Sequence, residues 1–414
     1  MDQFISDFLK DPSGKNLQKL SVEFLPYYCM LISKVGGILS QETLSCIQKA
    51  LQEGKLTDLV NLIQKALTIV EDAFLQIAVI GESGAGKSSF INALRRLSHE
   101  AEGSASVGVV ETTMHRTPYQ HPKYPQVTFW DLPGTGTPNF LPDTYLEKVG
   151  FADYDFFIII SSSRFTLNDA LLAQKIKDVG KKFYFVRTKV DSDLYNEEKT
   201  KPTTFTKKRI LQHIRDYCLA NLSDIGVSDS PIFLISNFDL ADFDFPKLEE
   251  TLLKELPEHK RHTFALLLPT ISVAAIEIKR DFLKEKIWLE ALKSAAVSFI
   301  PFTPFVCGFD LPEQEQCLKD YRNYFGLDDE SIEEIAEKLD TSMEDIRGCL
   351  KCLNFWSLVK DDSISAKVIK GAESFFAVKG GPESSVIQGL KVYILRLKFL
   401  DTVADDAKHL LKMI

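Results

Sequence analysis

The chain has 414 residues, of which 45% are hydrophobic and 26% charged, as is usual for a folded protein of about two or three domains and unlike a disordered or collagenous chain. Its 49 Lys and Arg against 58 Asp and Glu give a net charge of −9, so we expect no nucleic-acid partner. Seven scattered cysteines and the lack of a signal-peptide pattern indicate free thiols in a reducing cytoplasm. The longest apolar stretch, 295–309, contains two prolines and is shorter than the ~20 residues of a membrane span.

Helical spacing characterises the first predicted elements. Apolar residues between Gln41 and Asp72 predict two amphipathic helices, with Ser40 as an N-cap and Gly54 as the turn between them. Five short apolar runs then predict strands buried on both faces: Leu75–Ile80, Val127–Trp130, Phe156–Ile160, Phe183–Val186 and Ile232–Ile235. Helical stretches between them, such as Asn168–Val179, predict a parallel sheet with helices on its faces.

The C-terminal third returns to helical spacing after about Leu248, with a capping box predicted at Thr341–Glu344. We therefore expect N-terminal helices over 1–72, an α/β domain over 73–248 and C-terminal helices over 249–414. Because two short helices bury little core alone, the two helical segments are expected to form one domain.

A phosphate-binding loop follows the first predicted strand. Its G-x-x-x-x-G-K-S pattern consists of Gly81, Glu82, Ser83, Gly84, Ala85, Gly86, Lys87 and Ser88, with Ser89 next in a predicted helix. Between a strand and a helix this pattern is specific for a P-loop. Its backbone N–H groups can surround an anion, Lys87 supplies charge at the β- and γ-phosphates, and Ser88 offers an oxygen to Mg²⁺.

The second predicted strand ends at an Asp-Leu-Pro-Gly sequence. Asp131 can hold Mg²⁺ and the N–H of Gly134 can sense a γ-phosphate, although this tetrapeptide alone is also a common turn. Ras-type GTPases place a Gln after this glycine, where it orients the attacking water. Here the residue is Thr135, so we expect slow hydrolysis by the isolated chain and a partner that completes the site.

The segment Gly108–Met114 lies between these two motifs and is expected to be mobile. Mg²⁺ and a γ-phosphate would attract a hydroxyl from it, and we assign Thr113 ahead of Thr112. An ordinary polar loop is the alternative interpretation of this segment.

Two further turns indicate which base is bound. Thr188, Lys189 and Asp191 follow the fourth predicted strand, and Ser236 and Asn237 follow the fifth. The Asp191 carboxylate can accept hydrogen bonds from the guanine N1–H and N2–H₂ groups, which adenine lacks, while the Lys189 stem covers the ring. Losing two such bonds costs on the order of a hundredfold in affinity, so the ordered motifs predict guanine and argue against an ATP-using enzyme.

These motifs together resemble those of the immunity-related GTPases, the interferon-inducible family of vertebrate cell-autonomous defence. The matching segments are Gly81–Ser89, Val110–Met114, Trp130–Gly134, Tyr154–Ser161, Phe183–Lys189 and Tyr324–Asp329. The resemblance implies an α/β P-loop GTPase domain, a mostly parallel sheet with flanking helices, mounted on an all-α domain built from both termini. It implies GTP or GDP and Mg²⁺ as ligands, and Lys87 places the chain in the effector class.

The same resemblance implies a partner and a place of action. It implies GTP-dependent self-assembly through the GTPase domains, contact with other GTPases of the family, and cooperative hydrolysis in which Glu111 acts across the dimer. Lys87 and Thr113 are the other predicted catalytic residues. It also implies a cytoplasmic protein peripherally associated with the endoplasmic reticulum or with pathogen-containing vacuoles. A GTP-gated binding protein with negligible hydrolysis is the alternative function.

The route to a membrane is less defined by the sequence. Asp2 stands where myristoylation requires Gly. The segment Ile364–Val378 has a broad apolar face beside two lysines and is a candidate interfacial helix, although core packing is the alternative that we favour.

Overall fold

A computed structural model describes residues 37–108, 115–135, 142–162, 165–227, 230–268, 270–298, 311–355, 358 and 382–413. The chain divides into two compact units. The helical unit contains the described residues up to Asp72, Leu256–Leu266 and those from Ser272 onward, and the α/β unit contains Ala73–Glu255 and Leu267–Ile271. Described helices from both ends of the chain therefore share one unit.

The elements are labelled in chain order. The strands are β1 Leu75–Gly81, β2 Thr117–Gln120, β3 Val127–Asp131, β4 Phe156–Ser161, β5 Lys182–Arg187 and β6 Ile232–Leu234. The helices are α1 Gln41–Gln52, α2 Leu56–Glu71, α3 Lys87–Arg95, α4 Pro142–Val149, α5 Leu167–Asp178, α6 Val190–Thr200, α7 Lys207–Asp224, α8 Phe245–Glu255, α9 Glu258–Leu267, α10 Val273–Ser298, α11 Leu311–Phe325, α12 Asp329–Lys338, α13 Met343–Cys349 and α14 Pro382–Leu411. Short 3₁₀ helices cover Phe151–Asp153 and Lys351–Leu353.

The sheet of the α/β unit has the strand order β2-β3-β1-β4-β5-β6. Every neighbouring pair is parallel except β2 and β3, which confirms the predicted mostly parallel sheet with flanking helices. All five predicted strands are present. The sequence did not predict β2, because this edge strand of four residues includes Pro118 and carries no apolar run.

Alternating side chains of the central strands enter cores on both faces of the sheet. Ala78 and Ile80 of β1 pack with Phe157 and Ile159 of β4 in a core that also contains buried residues of α4, α5 and α7. The intervening Val79 is also buried and faces the opposite side, because successive strand residues alternate. Burial on both faces explains why these strands appear as continuous apolar runs in the sequence.

The N-terminal helices are joined to α10 by polar contacts as well as by packing. The Ile38 amide donates to Glu285 at 2.7 Å, and Lys286 pairs with Glu71 at 2.8 Å. Ser40 caps α1 as predicted, since its Oγ accepts a hydrogen bond from the Thr43 amide at 3.2 Å. These contacts place α1 and α2 in the same unit as the C-terminal helices.

The structure differs from the sequence-based predictions at one domain boundary and at one helix cap. The predicted domain boundary at 248/249 falls inside α8, which packs against β6 and belongs to the α/β unit. The predicted capping box at Thr341–Glu344 is wrong by one residue. Ser342 is the N-cap and accepts a hydrogen bond from the Asp345 amide at 3.1 Å, because the same hydroxyl-to-acid spacing recurs one position later.

The described cysteines are free thiols: Cys46, Cys218, Cys317, Cys349 and Cys352. Cys349 is exposed at the end of α13 and Cys352 is buried, and among the described residues no group of three or more His, Cys, Asp or Glu side chains could hold a metal ion. None of the helices in the described ranges is long and apolar enough to span a bilayer. The candidate interfacial helix Ile364–Val378 lies outside the described residues.

Replacing Gly81 with alanine should destabilise the α/β unit strongly. A Cβ at this position would lie 2.0 Å from the Ile160 carbonyl oxygen, so the backbone of β1 or β4 has to move, at a cost of about 3 kcal/mol. Gly180→Ala is the control, since it combines a positive φ of 71° with open space and should cost about 1 kcal/mol. Urea denaturation should show a lower midpoint for Gly81→Ala than for Gly180→Ala, and equal midpoints would contradict this packing.

Candidate nucleotide-binding site

The P-loop connects β1 to α3. Gly84 and Gly86 adopt left-handed φ angles of +75° and +93°, which most other residues disfavour. A Cβ on Gly86 would lie 3.1 Å from Asn237 Nδ2 and 3.6 Å from Thr188 Oγ1, so glycine lets both base-recognition turns approach the loop. No side chain of the described residues caps α3, and its first N–H groups are suited to an anion.

Lys87 folds back over the P-loop. Its Nζ donates hydrogen bonds to the carbonyl oxygens of Gly81 at 3.2 Å and Glu82 at 3.0 Å, and its side chain is buried. A buried ammonium held by two carbonyls places a fixed positive charge at the loop. Of the remaining loop residues, Ala85 is buried, Ser88 and Ser89 are half-buried, and Ser83 is exposed.

Ser88 and Asp131 meet where β3 ends beside the P-loop. Ser88 Oγ donates to Asp131 Oδ2 at 2.6 Å, and the carboxylate is buried. Hydroxyl and carboxylate oxygens are the hard donors that Mg²⁺ prefers, so these two residues fit a magnesium site. The third predicted ligand, Thr113, and the predicted catalytic Glu111 lie outside the described residues.

The first base-recognition turn is hydrogen-bonded to the P-loop. Thr188 Oγ1 donates to the Ala85 carbonyl at 2.7 Å, and Lys189 Nζ donates to the Gly84 carbonyl at 3.0 Å. Lys189 has a φ of +58° and is the N-cap residue of α6, whose first turn carries Asp191. The Oδ1 of Asp191 is buried and accepts no hydrogen bond from any residue that the structure describes. A buried acceptor of this kind fits a ligand with N–H donors.

The second turn approaches the same loop from β6. Asn237 Nδ2 donates to the Gly86 carbonyl at 3.1 Å, and the buried Ser236 accepts a hydrogen bond from the Phe238 amide at 3.2 Å. Both predicted turns thus converge on the P-loop, although they are more than 100 residues from it in sequence.

Arg187 was not predicted as part of the site. It is buried at the end of β5, where its guanidinium donates to the Thr188 carbonyl at 2.6 Å and to Asp193 Oδ2 at 2.5 Å. The arginine therefore spans the turn that carries Asp191. A charged residue that ends an otherwise apolar strand was the available sequence signal.

The residue after the Asp-Leu-Pro-Gly motif is fixed through its backbone. The Thr135 N–H donates to the Gly81 carbonyl at 3.2 Å, and its own carbonyl accepts from Asn168 Nδ2 at 2.9 Å. Its Oγ1 is buried and has no hydrogen-bond partner among the described residues. Gly134 beside it is also buried. The Thr135 side chain is thus fully buried.

A P-loop at the end of β1 in a mostly parallel sheet, with two turns hydrogen-bonded to it, defines the P-loop GTPase class. The family model described as Interferon-inducible GTPase (IIGP) matches residues 40–414. The chain therefore belongs to the interferon-inducible GTPase family, which confirms the resemblance to the immunity-related GTPases. It binds guanine nucleotides and is a GTP hydrolase.

Three mouse (Mus musculus) proteins illustrate the similarity. Interferon-gamma-inducible GTPase 10 is 48% identical over 97% of this chain and 95% of its own length. T-cell-specific guanine nucleotide triphosphate-binding protein 2 is 47% identical over 90% of each chain. Interferon-inducible GTPase 1 is 42% identical over 91% of each chain.

The stability of this unit should depend on pH through Asp169. Burial raises the pKa of this carboxyl to about 6, against hydrogen bonds from Thr166 that lower it. The folded protein then holds this proton more tightly than the unfolded chain does. The contribution of the protonated Asp169 carboxyl to folding stability is therefore fully present below about pH 4 and is lost as pH rises through 6. Asp169→Asn should remove this trend, which amounts to about 2–3 kcal/mol.

Urea denaturation of wild type and Asp169→Asn between pH 4 and 7 measures the effect. The exposed Asp178 on the same helix provides the control variant Asp178→Asn, whose stability should follow the wild type at every pH. A difference between wild type and Asp169→Asn that stays constant with pH would show that Asp169 has an ordinary pKa.

Proposed function

We propose that this GTPase assembles with copies of itself in the GTP state, hydrolyses GTP cooperatively, and acts in cell-autonomous immunity at the membranes of pathogen-containing vacuoles. The observation that carries the nucleotide part is the attachment of both base-recognition turns to P-loop carbonyls, through Thr188 and Asn237. The α/β unit is proposed as the nucleotide-binding domain, since the described P-loop and both base-recognition turns belong to it.

The P-loop is proposed to hold the phosphates of GTP. Backbone N–H groups of Gly81–Ser89 and the start of α3 donate to phosphate oxygens, while the Lys87 ammonium neutralises their charge. Ser88, Asp131 and Thr113 would hold Mg²⁺, which when bound draws negative charge from the β- and γ-phosphates. The Gly134 N–H is proposed to sense the γ-phosphate.

Asp191 is proposed to recognise guanine. Its buried Oδ1, with no partner among the described residues, would accept from the N1–H and N2–H₂ edge, while the Lys189 stem covers the ring. Ser236 and Asn237 form the second turn of the proposed base site, which Asn237 bonds to the P-loop at Gly86. The Arg187 contacts to Thr188 and Asp193 hold the strand end and α6 together and so keep the carboxylate in place.

Self-assembly is proposed because Thr135 leaves the attacking water without a side chain to orient it. The threonine side chain is shorter than that of glutamine and lacks its amide group, so we expect it not to make the same contact with water. A second copy bound through the GTPase domains would complete the site, with Glu111 as the candidate catalytic residue. Other GTPases of the family are proposed as further partners.

We further propose a cytoplasmic protein that associates peripherally with the endoplasmic reticulum or with vacuole membranes. The support is family membership, and the free thiols of the described cysteines are compatible with a reducing compartment. The candidate membrane segment remains Ile364–Val378.

Asp191→Asn should change base preference from guanine to xanthine. An amide in place of the carboxylate can donate to the xanthine 2-oxygen but no longer accepts both guanine N–H groups, so GTP affinity should fall on the order of a hundredfold. Calorimetry with GDP and XDP on wild type and variant measures the change. Asp216→Asn, on the exposed surface of α7, is the control, and an Asp191→Asn protein that still prefers GDP would contradict the base assignment.

Turnover per molecule should rise with protein concentration if two copies complete the site. GTP hydrolysis measured over a wide concentration range, with light scattering recorded alongside, should show both rising together. Glu111→Ala should bind GTP as the wild type does and lose most of this rise, a loss of about 100-fold or more if Glu111 acts in the chemistry. Turnover that is independent of concentration would refute self-activation, and a wild-type rate in the variant would remove Glu111 from the mechanism.

A further inference from the structure

A pair of aromatic rings lies beside the second base-recognition turn. Phe238 directly follows Ser236 and Asn237, and its side chain is 81% exposed. Single exposed apolar residues are common and need no explanation by themselves. Phe238, however, contacts the His99 ring edge-on, with ring centroids 6.1 Å apart and planes at 90°.

Both rings are attached to segments of the proposed guanine site. The Phe238 amide donates to Ser236 Oγ, and the preceding Asn237 donates to the P-loop at Gly86. The backbone that carries the Phe238 ring is therefore fixed where the second turn meets the phosphate loop.

His99 is held by a residue of α3, the helix that begins at the P-loop. The fully buried Asn92 places its Nδ2 3.2 Å from His99 Nδ1, and the same side chain exchanges two hydrogen bonds with the Ala105 backbone, at 2.6 and 2.9 Å. The segment after α3 is thereby fixed, and with it the imidazole that contacts Phe238.

The placement in the sheet brings this pair to the base end of the site. β5 and β6 are neighbouring parallel strands, so the turns that follow them, with Asp191 and with Phe238, leave the same edge of the sheet. Lys189 also lies at this edge, bonded to the Gly84 carbonyl. An exposed aromatic face, a buried carboxylate oxygen and a lysine stem are thus gathered around the end of the P-loop.

We propose that Phe238, supported by His99, forms a wall on which the purine base stacks. This inference rests on the proposed guanine site. In that site Asp191 would bond the edge of the base, and Phe238 would contact its face. Stacking on an aromatic ring is favourable for any base, because every base has a π-face. Phe238 therefore contributes affinity for the base and contributes equally to GTP and GDP, while Asp191 determines which base is chosen.

Substitution at Phe238 measures this contribution. Phe238→Ala should weaken GDP and GTP binding by at least about fivefold, with the same factor for both nucleotides. Phe238→Trp should retain wild-type affinity. Phe74 provides the matched control: it is 61% exposed and precedes β1, whose seven residues place it about 20 Å from the P-loop end of the strand. Phe74→Ala should bind as the wild type does.

A spectroscopic signal separates stacking from a structural effect on the turn. Guanine stacked on an indole ring quenches the fluorescence of the indole, so the emission of the Phe238→Trp variant should fall when GDP binds. The wild-type titration records the three native tryptophans and is subtracted. Phe74→Trp should show no added change.

The outcomes are distinct. Wild-type affinity in Phe238→Ala, or emission from Phe238→Trp that does not respond to saturating GDP, would overturn the stacking wall while leaving the guanine site in place. Failure of the wild-type protein to bind GDP would instead remove the guanine site itself. Weakened binding by Phe238→Ala together with quenching in Phe238→Trp supports the wall.

Discussion

Carbonyl groups of the P-loop are held from outside by side chains of distant turns, and this constraint organises the rest of the site. Thr188 donates to the Ala85 carbonyl and Asn237 to the Gly86 carbonyl. Because the peptide unit is planar and trans, a carbonyl directed toward the surrounding protein leaves its N–H directed the opposite way. The same two bonds therefore act at both ends of the proposed nucleotide site. They help to direct backbone N–H groups into the loop, where the phosphates would bind. They also fix the distance between the loop and the turns that would hold the base.

Much of the fold could be predicted because its parallel strands are buried on both faces. The apolar runs at β1 and β4 have no polar alternation to obscure them, and the P-loop is a pattern of fixed spacing that needs no knowledge of the fold. The edge strand β2 could not be found in this way, since one of its faces is exposed and it contains Pro118. The cap at Ser342 could not be predicted from the sequence either. Thr341 and Ser342 are adjacent and each stands three residues before an acidic residue, so only the backbone conformation shows which of the two caps the helix.

The contacts between motifs could not be predicted, because they join residues far apart in the chain. Sequence order indicates that Thr188 follows a strand, but not that its hydroxyl reaches Ala85. Arg187 was overlooked for the same reason, since its two partners become visible only when the turn is built. Glu111 and Thr113 stay predictions, as no described contact involves them.

Leu267–Ile271 belongs to the α/β unit, whereas the residues on either side of it belong to the helical unit. Arg96, at the end of α3, donates to the Leu268 carbonyl at 2.9 Å and so ties this short segment to the helix that starts at the phosphate loop. A fragment of the α/β unit that ends at Glu255 would lack the Leu268 carbonyl, to which Arg96 donates its hydrogen bond. A fragment that contains the whole α/β unit has to include Leu267–Ile271 as well, for instance through a designed linker, since this unit is formed by two separate stretches of the chain.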